Sequence, residues 1–119
     1  MSTADASQRA VSWLQEFEAA LGRSDLPAIL AMFADEECFW RDMVAFTWNI
    51  RTMEGKQQIA DFLSATLASV EPRNFRLEGD AHDADGVTAA RFTFETKVAK
   101  GRGILRLKDN RAWTILTLA

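Results

Sequence analysis

The chain has 119 residues, 48% hydrophobic and 26% charged, which is the size and composition of one globular domain covering residues 1–119. Its net charge of -3 at pH 7 argues against nucleic-acid and anionic-membrane partners, because both need a strongly basic surface. The chain contains eight Phe and four Trp but no Tyr, so acid catalysis by a tyrosine hydroxyl is excluded.

The first third of the chain predicts two helices. Apolar residues recur at three- and four-residue steps from Ala6 to Leu21, which marks the buried face of a long helix, and Gly22 supplies a left-handed stop. Asp25 is a good N-cap for a second, short helix whose core face lies within residues 29–33. A tight polar turn therefore joins the two helices.

Two short strands and a third helix follow. Residues 38–42 have the β-favouring content and the alternation of a strand, and residues 51–54 predict another. Residues 43–50 fit either a loose helical turn or an extended run, and we interpret them as a pocket-lining loop with a helical turn. The third helix begins at Gly55, and Pro72 closes it.

Beyond Pro72 the hydrophobic pattern changes to a period of two, which predicts four antiparallel strands. Their residues are 75–82, 87–98, 104–107 and 112–118. We interpret residues 100–103 as a hairpin connection between the second and third of these strands. Helices set ahead of a meander indicate the α+β class, with the helices packed on one face of an antiparallel sheet.

The sequence offers few reactive groups. Cys38 is the only cysteine and His82 the only histidine, which excludes an intramolecular disulfide, a thiolate cluster and a two-histidine metal site. A buried, inert thiol and a solvated turn histidine are the favoured interpretations. The lone cysteine, the lack of an apolar run near the ~20 residues of a membrane span and the polar N-terminus predict a cytoplasmic protein. No metal or cofactor is expected.

The order of these elements resembles the nuclear transport factor 2-like superfamily, whose members are also called SnoaL-like or cone-fold domains. The resemblance rests on residues 22–26, on a second helix ending in residues 32–36, on a strand ending in Asp42, and on Gly55 ahead of a third helix. It covers essentially the whole chain. It implies a cone-shaped α+β barrel, in which a curved sheet wraps around a helix and encloses a conical pocket.

Asp42 is the candidate general base that the resemblance implies. In isomerase-like and cyclase-like members a carboxylate just after the first strand has this role, and Asp42 matches its position. A base needs an apolar setting, which Trp40, Phe46 and Trp48 favour and the charges of Arg41 or Arg51 oppose. The alternative is a carboxylate that pairs with an arginine or caps the turn that follows.

The family's other catalytic groups have no counterpart in this sequence. The position that matches the oxyanion donor of the first helix is Phe17, and the second acid aligns near Gly103 or Ile104. None of these side chains donates a hydrogen bond, so a large electrostatic contribution to catalysis is absent. Steroid isomerase activity is therefore disfavoured.

Several aromatic residues are candidates for lining a pocket that takes a flat apolar or aromatic molecule, with a place in the hydrophobic core as the alternative. These residues are Trp13, Phe17, Trp40, Trp48 and Phe62. Together with Asp42 they lead to the first functional hypothesis, a small-molecule-binding domain that catalyses a lyase-, isomerase- or cyclase-like reaction without a cofactor.

The second hypothesis is a non-catalytic accessory or dimerisation module. Residues 38–42 and 47–55 are similar to cone-fold domains that precede the nucleotide-binding region of some flavin-dependent monooxygenase-like oxidoreductases. Such a module would work with a separate flavin oxidoreductase, and whether the chain is an enzyme stays open. We also expect a homodimer through the convex face of the sheet, whose candidate residues are Arg91, Thr93, Glu95, Trp113 and Ile115.

Overall fold

The computed structural model describes residues 3–47 and 50–119 and has the expected α+β architecture. Its elements in chain order are α1 (Thr3–Gly22), α2 (Leu26–Ala31), β1 (Phe39–Met43), β2 (Ile50–Glu54), α3 (Gly55–Val70), β3 (Arg73–Ala84), β4 (Val87–Glu95), β5 (Lys100–Lys108) and β6 (Arg111–Leu118). The strands form one curved sheet of six, in the order β2-β1-β6-β5-β4-β3. No helix in the described ranges is long and apolar enough to cross a membrane.

The ends of the first two helices follow local rules. α1 ends at Gly22 as predicted, but the left-handed conformation falls on Ser24, which has φ 53°. The expected left-handed stop is therefore wrong at Gly22, because the chain makes its turn two residues later. Asp25 caps α2 as predicted, since its carboxylate accepts a hydrogen bond from the amide of Ala28 at 3.3 Å.

Alternation along the strands gives the sheet two different faces. The inner face packs against α1 and α3 and carries the buried core residues Trp40, Phe92, Phe94, Leu105 and Ile115. The outer face carries the intervening residues, among them Arg91, Thr93, Ile104 and Leu116. Because every helix lies on the inner side, the interior of the protein is enclosed between helices and sheet.

The expectation of a wholly antiparallel sheet is wrong at one pair of strands. β1 and β6 run parallel, with Trp40 opposite Ile115 and Asp42 opposite Thr117. The remaining neighbours are antiparallel. Hairpin connections impose antiparallel pairing on strands adjacent in sequence, but β1 and β6 lie far apart along the chain, so no turn fixes their direction.

The hairpin connection assigned to residues 100–103 is also wrong. Those residues begin β5, and the turn lies at Thr96 and Ala99, where the amide of Thr96 donates to the Ala99 carbonyl at 2.8 Å. Gly101 serves packing instead, because a Cβ there would stand 2.5 Å from Phe94 Cζ and 2.9 Å from the Leu118 carbonyl oxygen. Gly103 makes the same kind of room for the ring of Phe92.

The outward position assigned to Ile115 is wrong as well. Ile115 is only 1% exposed and faces the core, opposite Leu105. The cause is an irregularity in the pairing of β5 and β6, which accommodates Trp113 as an extra residue and shifts the alternation beyond it. Leu116 therefore takes the outward place on β6.

Candidate functional site

Asp42 is the one charged side chain in the described part of the chain that is buried, with none of its surface exposed. It lies on β1 in the sequence Trp40-Arg41-Asp42, whose alternation turns Trp40 and Asp42 inward and leaves Arg41 exposed. A carboxylate in such a place is costly unless hydrogen bonds replace the water it has lost. Its partners therefore decide what it can do.

Both carboxylate oxygens are fully engaged by the chain that follows β1 and by β6. Oδ2 accepts from the amide of Thr47 at 2.9 Å, from the amide of Phe46 at 3.0 Å and from the Thr47 hydroxyl at 3.2 Å. Oδ1 accepts from the Thr117 hydroxyl at 2.6 Å and shares the amide of Phe46 at 3.1 Å. Asp42 thus caps the turn that follows its strand.

Thr117 joins Asp42 to Trp40. Its hydroxyl accepts a hydrogen bond from Trp40 Nε1 at 2.9 Å and donates its own proton to Asp42. The parallel register of β1 and β6 creates this contact, since it places Thr117 directly beside Asp42. Sequence reasoning missed Thr117, and its polar side chain at an inward position of an apolar strand was the available signal.

The two arginines weighed against Asp42 lie outside its reach. Arg41 and Arg51 are both exposed, although Arg51 stands opposite Asp42 in the pairing of β2 with β1. Among the described residues, neither arginine forms an ion pair with the buried carboxylate. The negative charge of Asp42 is therefore stabilised by amide and hydroxyl donors and not by a positively charged side chain.

The four described pocket candidates form a chain of ring contacts in the core. Trp13 stacks on Phe17 with 4.5 Å between ring centroids, Phe17 lies 5.8 Å from Trp40, and Trp40 lies 5.3 Å from Phe62. None of the four is more than 5% exposed. Trp48 lies outside the described residues. In this conformation the rings pack on one another, so a pocket among them stays a prediction.

Phe46 completes this aromatic cluster from the loop of residues 44–47, which follows β1. Its ring is 4% exposed and lies 5.1 Å from Trp40 and 5.7 Å from Phe62, while its amide is held by Asp42. In the same loop Val44 has φ 62°, an unfavourable conformation for a β-branched residue, and is 42% exposed. The loop thus has backbone strain, and its hydrogen bonds to Asp42 keep it closed over the core.

The remaining reactive groups lie apart from Asp42. Burial raises the pKa of the Cys38 thiol above its usual range, so the thiolate is scarce near neutral pH. His82 is exposed on β3. No group of three or more His, Cys, Asp or Glu within residues 3–47 and 50–119 is placed to hold a metal ion.

Comparison with known proteins gives one family and several solved structures of similar fold. The sequence profile of the SnoaL-like domain family matches residues 14–118. No curated protein sequence matches the chain. Among solved structures, an NTF2-like protein of unknown function from Pseudomonas putida KT2440 is similar with a TM-score of 0.74 and 16% identity, over 100% of this chain and 89% of that one.

Two further structures have names that refer to chemistry. A proposed polyketide cyclase from Xanthomonas campestris pv. campestris has a TM-score of 0.67 and 17% identity, over 96% of this chain and 92% of that one. A protein with a ketosteroid isomerase-like fold from Catenulispora acidiphila, solved with trimethylamine, has a TM-score of 0.58 and 18% identity, over 88% and 82%. At these identities the likeness establishes the fold alone.

Replacing Thr117 by valine tests the network around Asp42. We expect T117V to lower the free energy of unfolding by about 1–3 kcal/mol, because Trp40 Nε1 loses its acceptor and Asp42 loses a donor in the core. The matched control is T114V on the outer face of the same strand, with an expected change within about 0.5 kcal/mol. Urea unfolding measures both, and equal effects of the two variants would contradict the network.

Proposed function

The chain belongs to the SnoaL-like domain family, and from this membership and the burial of Asp42 we propose that it binds a small apolar or aromatic molecule. The proposed site is the interior of the cone, between the aromatic cluster and the loop of residues 44–47. The observation that carries the proposal is the buried carboxylate of Asp42, which lies beneath the ring of Phe46 in the loop. A mostly apolar cavity with one oriented polar group is typical of small-molecule sites.

Entry of a ligand requires the loop to move. Phe46 fills the space beside Trp40 and Phe62, so lifting the loop removes a ring from the cluster and takes the Phe46 and Thr47 amides away from Oδ2. Thr117 is on β6 and stays in place on Oδ1. The strain at Val44 lowers the cost of this opening, because it is released when the loop leaves its closed position.

The chemistry we propose is proton transfer by Asp42 to and from a carbonyl compound, without a cofactor. The freed Oδ2 takes a hydrogen from the carbon next to the carbonyl, and the electron pair of that C–H bond moves to the carbonyl oxygen to give an enolate. Return of a proton from Asp42 to carbon completes an isomerisation, and loss of a leaving group or ring closure completes a lyase- or cyclase-like reaction. Solved structures with polyketide cyclase and ketosteroid isomerase-like names support this class.

A second candidate function is a non-catalytic accessory module, which works with a separate flavin oxidoreductase. The hydrogen bonds of Asp42 favour it, because the Phe46 and Thr47 amides and the Thr47 and Thr117 hydroxyls occupy the acceptor positions of the carboxylate. The dense packing of the aromatic rings favours it too. Either function is compatible with the cytoplasmic location that the lone cysteine suggests.

Homodimerisation belongs to the proposal for both functions. Apolar residues gather on the outer face over β2, β1, β6 and β5, and they are Phe39, Met43, Ile50, Ile104 and Leu116. Ile50 is 57% exposed in the single chain. We propose that this patch, the outer apolar patch, pairs with the same patch of a second copy.

Exchange of carbon-bound hydrogen for deuterium tests the proposed chemistry. In D2O, we expect the protein to accelerate exchange at the position next to the carbonyl in at least one member of a panel of aromatic and alicyclic ketones, followed by proton NMR. D42N should lower that rate by about 100-fold or more, the usual contribution of a general base, and D61N on the exposed face of α3 should not change it.

Phe46→Ala keeps this test decisive if D42N folds poorly. The variant leaves the carboxylate intact and removes the ring that fills the site, so exchange should be retained or become faster. Absence of exchange above the buffer rate in both the native protein and F46A would overturn the catalytic proposal and favour the accessory module.

Sedimentation equilibrium tests the dimer. We expect a mass of twice the 13.3 kDa of one chain at micromolar concentration. L116E should shift the protein to the mass of one chain, because a charge in the outer apolar patch loses its water on pairing. Q57E on exposed α3 is the control and should stay dimeric. A native protein that sediments as one chain would contradict the dimer.

A further inference from the structure

A second candidate site lies on the outer face of the sheet, away from Asp42. It is a depression of about 610 Å³ at one end of the strands β3 to β6. Three of its lining residues are cationic, namely Arg76, Lys100 and Arg102. Its one acidic side chain, Glu95, accepts a hydrogen bond from the side-chain amide of Asn74. The cavity therefore has an excess of positive charge in a protein whose net charge is negative.

Strand register brings two of the cations over one hydroxyl. Arg76 on β3 stands opposite Thr93 on β4, and Thr93 stands opposite Arg102 on β5, so the three residues form one row across the outer face. Two strand spacings separate the arginine Cα atoms by about 10 Å. Long side chains cross that distance from both sides, so both guanidinium groups can reach a single group above Thr93.

Within residues 3–47 and 50–119, these cations have no ion-pair partner. Among the described residues, Arg9 and Arg111 form ion pairs with Asp83 and Asp35, whereas no carboxylate lies within ion-pair distance of Arg76, Lys100 or Arg102. Like charges gathered on neighbouring strands repel one another. A bound anion would remove that repulsion and satisfy the guanidinium donors.

We propose that this depression, the arginine cleft of Arg76, Thr93, Lys100 and Arg102, binds the phosphate or carboxylate group of a small molecule. The planar forks of Arg76 and Arg102 suit bidentate contact with either group, and the Thr93 hydroxyl donates from below. Lys100 adds charge at the rim, and Leu118 gives an apolar wall for the rest of the molecule. The site is independent of Asp42 and of the chemistry proposed there.

Calorimetric titration of the full chain with inorganic phosphate and, separately, with succinate tests the arginine cleft. We expect saturable binding of at least one anion, weakened as NaCl rises, and the tighter of the two identifies the group that the cleft takes. R76A and R102A should each weaken binding by about tenfold or more. R102K keeps the charge but loses the fork, and its affinity should lie between those of the native protein and R102A.

R106A is the matched control, because Arg106 lies on the outer face of β5 but lines no part of the cleft. It should bind as the native protein does. Three results would overturn the proposal: a dissociation constant weaker than about 10 mM for both anions, an equal loss in R106A, or a change in sedimentation mass in R102A with unchanged anion binding. The last result would show that Arg102 pairs with carboxylates of a second copy.

Discussion

The carboxylate of Asp42 ties together three parts of the molecule that lie far apart in sequence. It holds the loop after β1 through the Phe46 and Thr47 amides, and it holds β6 through Thr117, 75 residues away. A buried carboxylate costs several kcal/mol unless donors surround it, so the loop, the parallel pairing of β1 with β6 and the orientation of Trp40 all depend on one another. Loss of any one of them leaves a polar group unpaired in the core.

The packing of the aromatic core depends on the hydrogen bonds of Asp42 and on Gly101. Phe46 reaches the rings of Trp40 and Phe62 because Asp42 fixes its backbone, and at the other end Phe94 lies over the bare Cα of Gly101. Large rings thus fill the interior as far as the loop of residues 44–47, in which Val44 has a strained backbone. The closed loop that stabilises the fold therefore also blocks the proposed ligand site, since a ligand has to displace the ring of Phe46.

Sequence reasoning recovered what local patterns determine. Periodicity gave the helices and the strands, and side-chain chemistry gave the cap at Asp25 and the turn-capping alternative for Asp42. It failed where distant segments meet. The residues near Asp42 in sequence do not indicate that Thr117 contacts it, and the sequence of β1 does not indicate that it pairs parallel with β6. The extra residue Trp113 turned Ile115 to the opposite face of the sheet from the predicted one. Gly101 looked like a turn residue because its neighbour Phe94 lies on another strand.

Hydrogen exchange at the amides of Phe46 and Thr47 tests the central role of Asp42 most directly. If the carboxylate holds both amides, NMR should find them strongly protected although they belong to a loop, and more slowly exchanging than the amide of Ala45 beside them. D42N should remove the protection at these two positions while amides in the middle of β5 stay protected. Exchange of Phe46 and Thr47 at the rate of an unstructured peptide in the native protein would contradict the account.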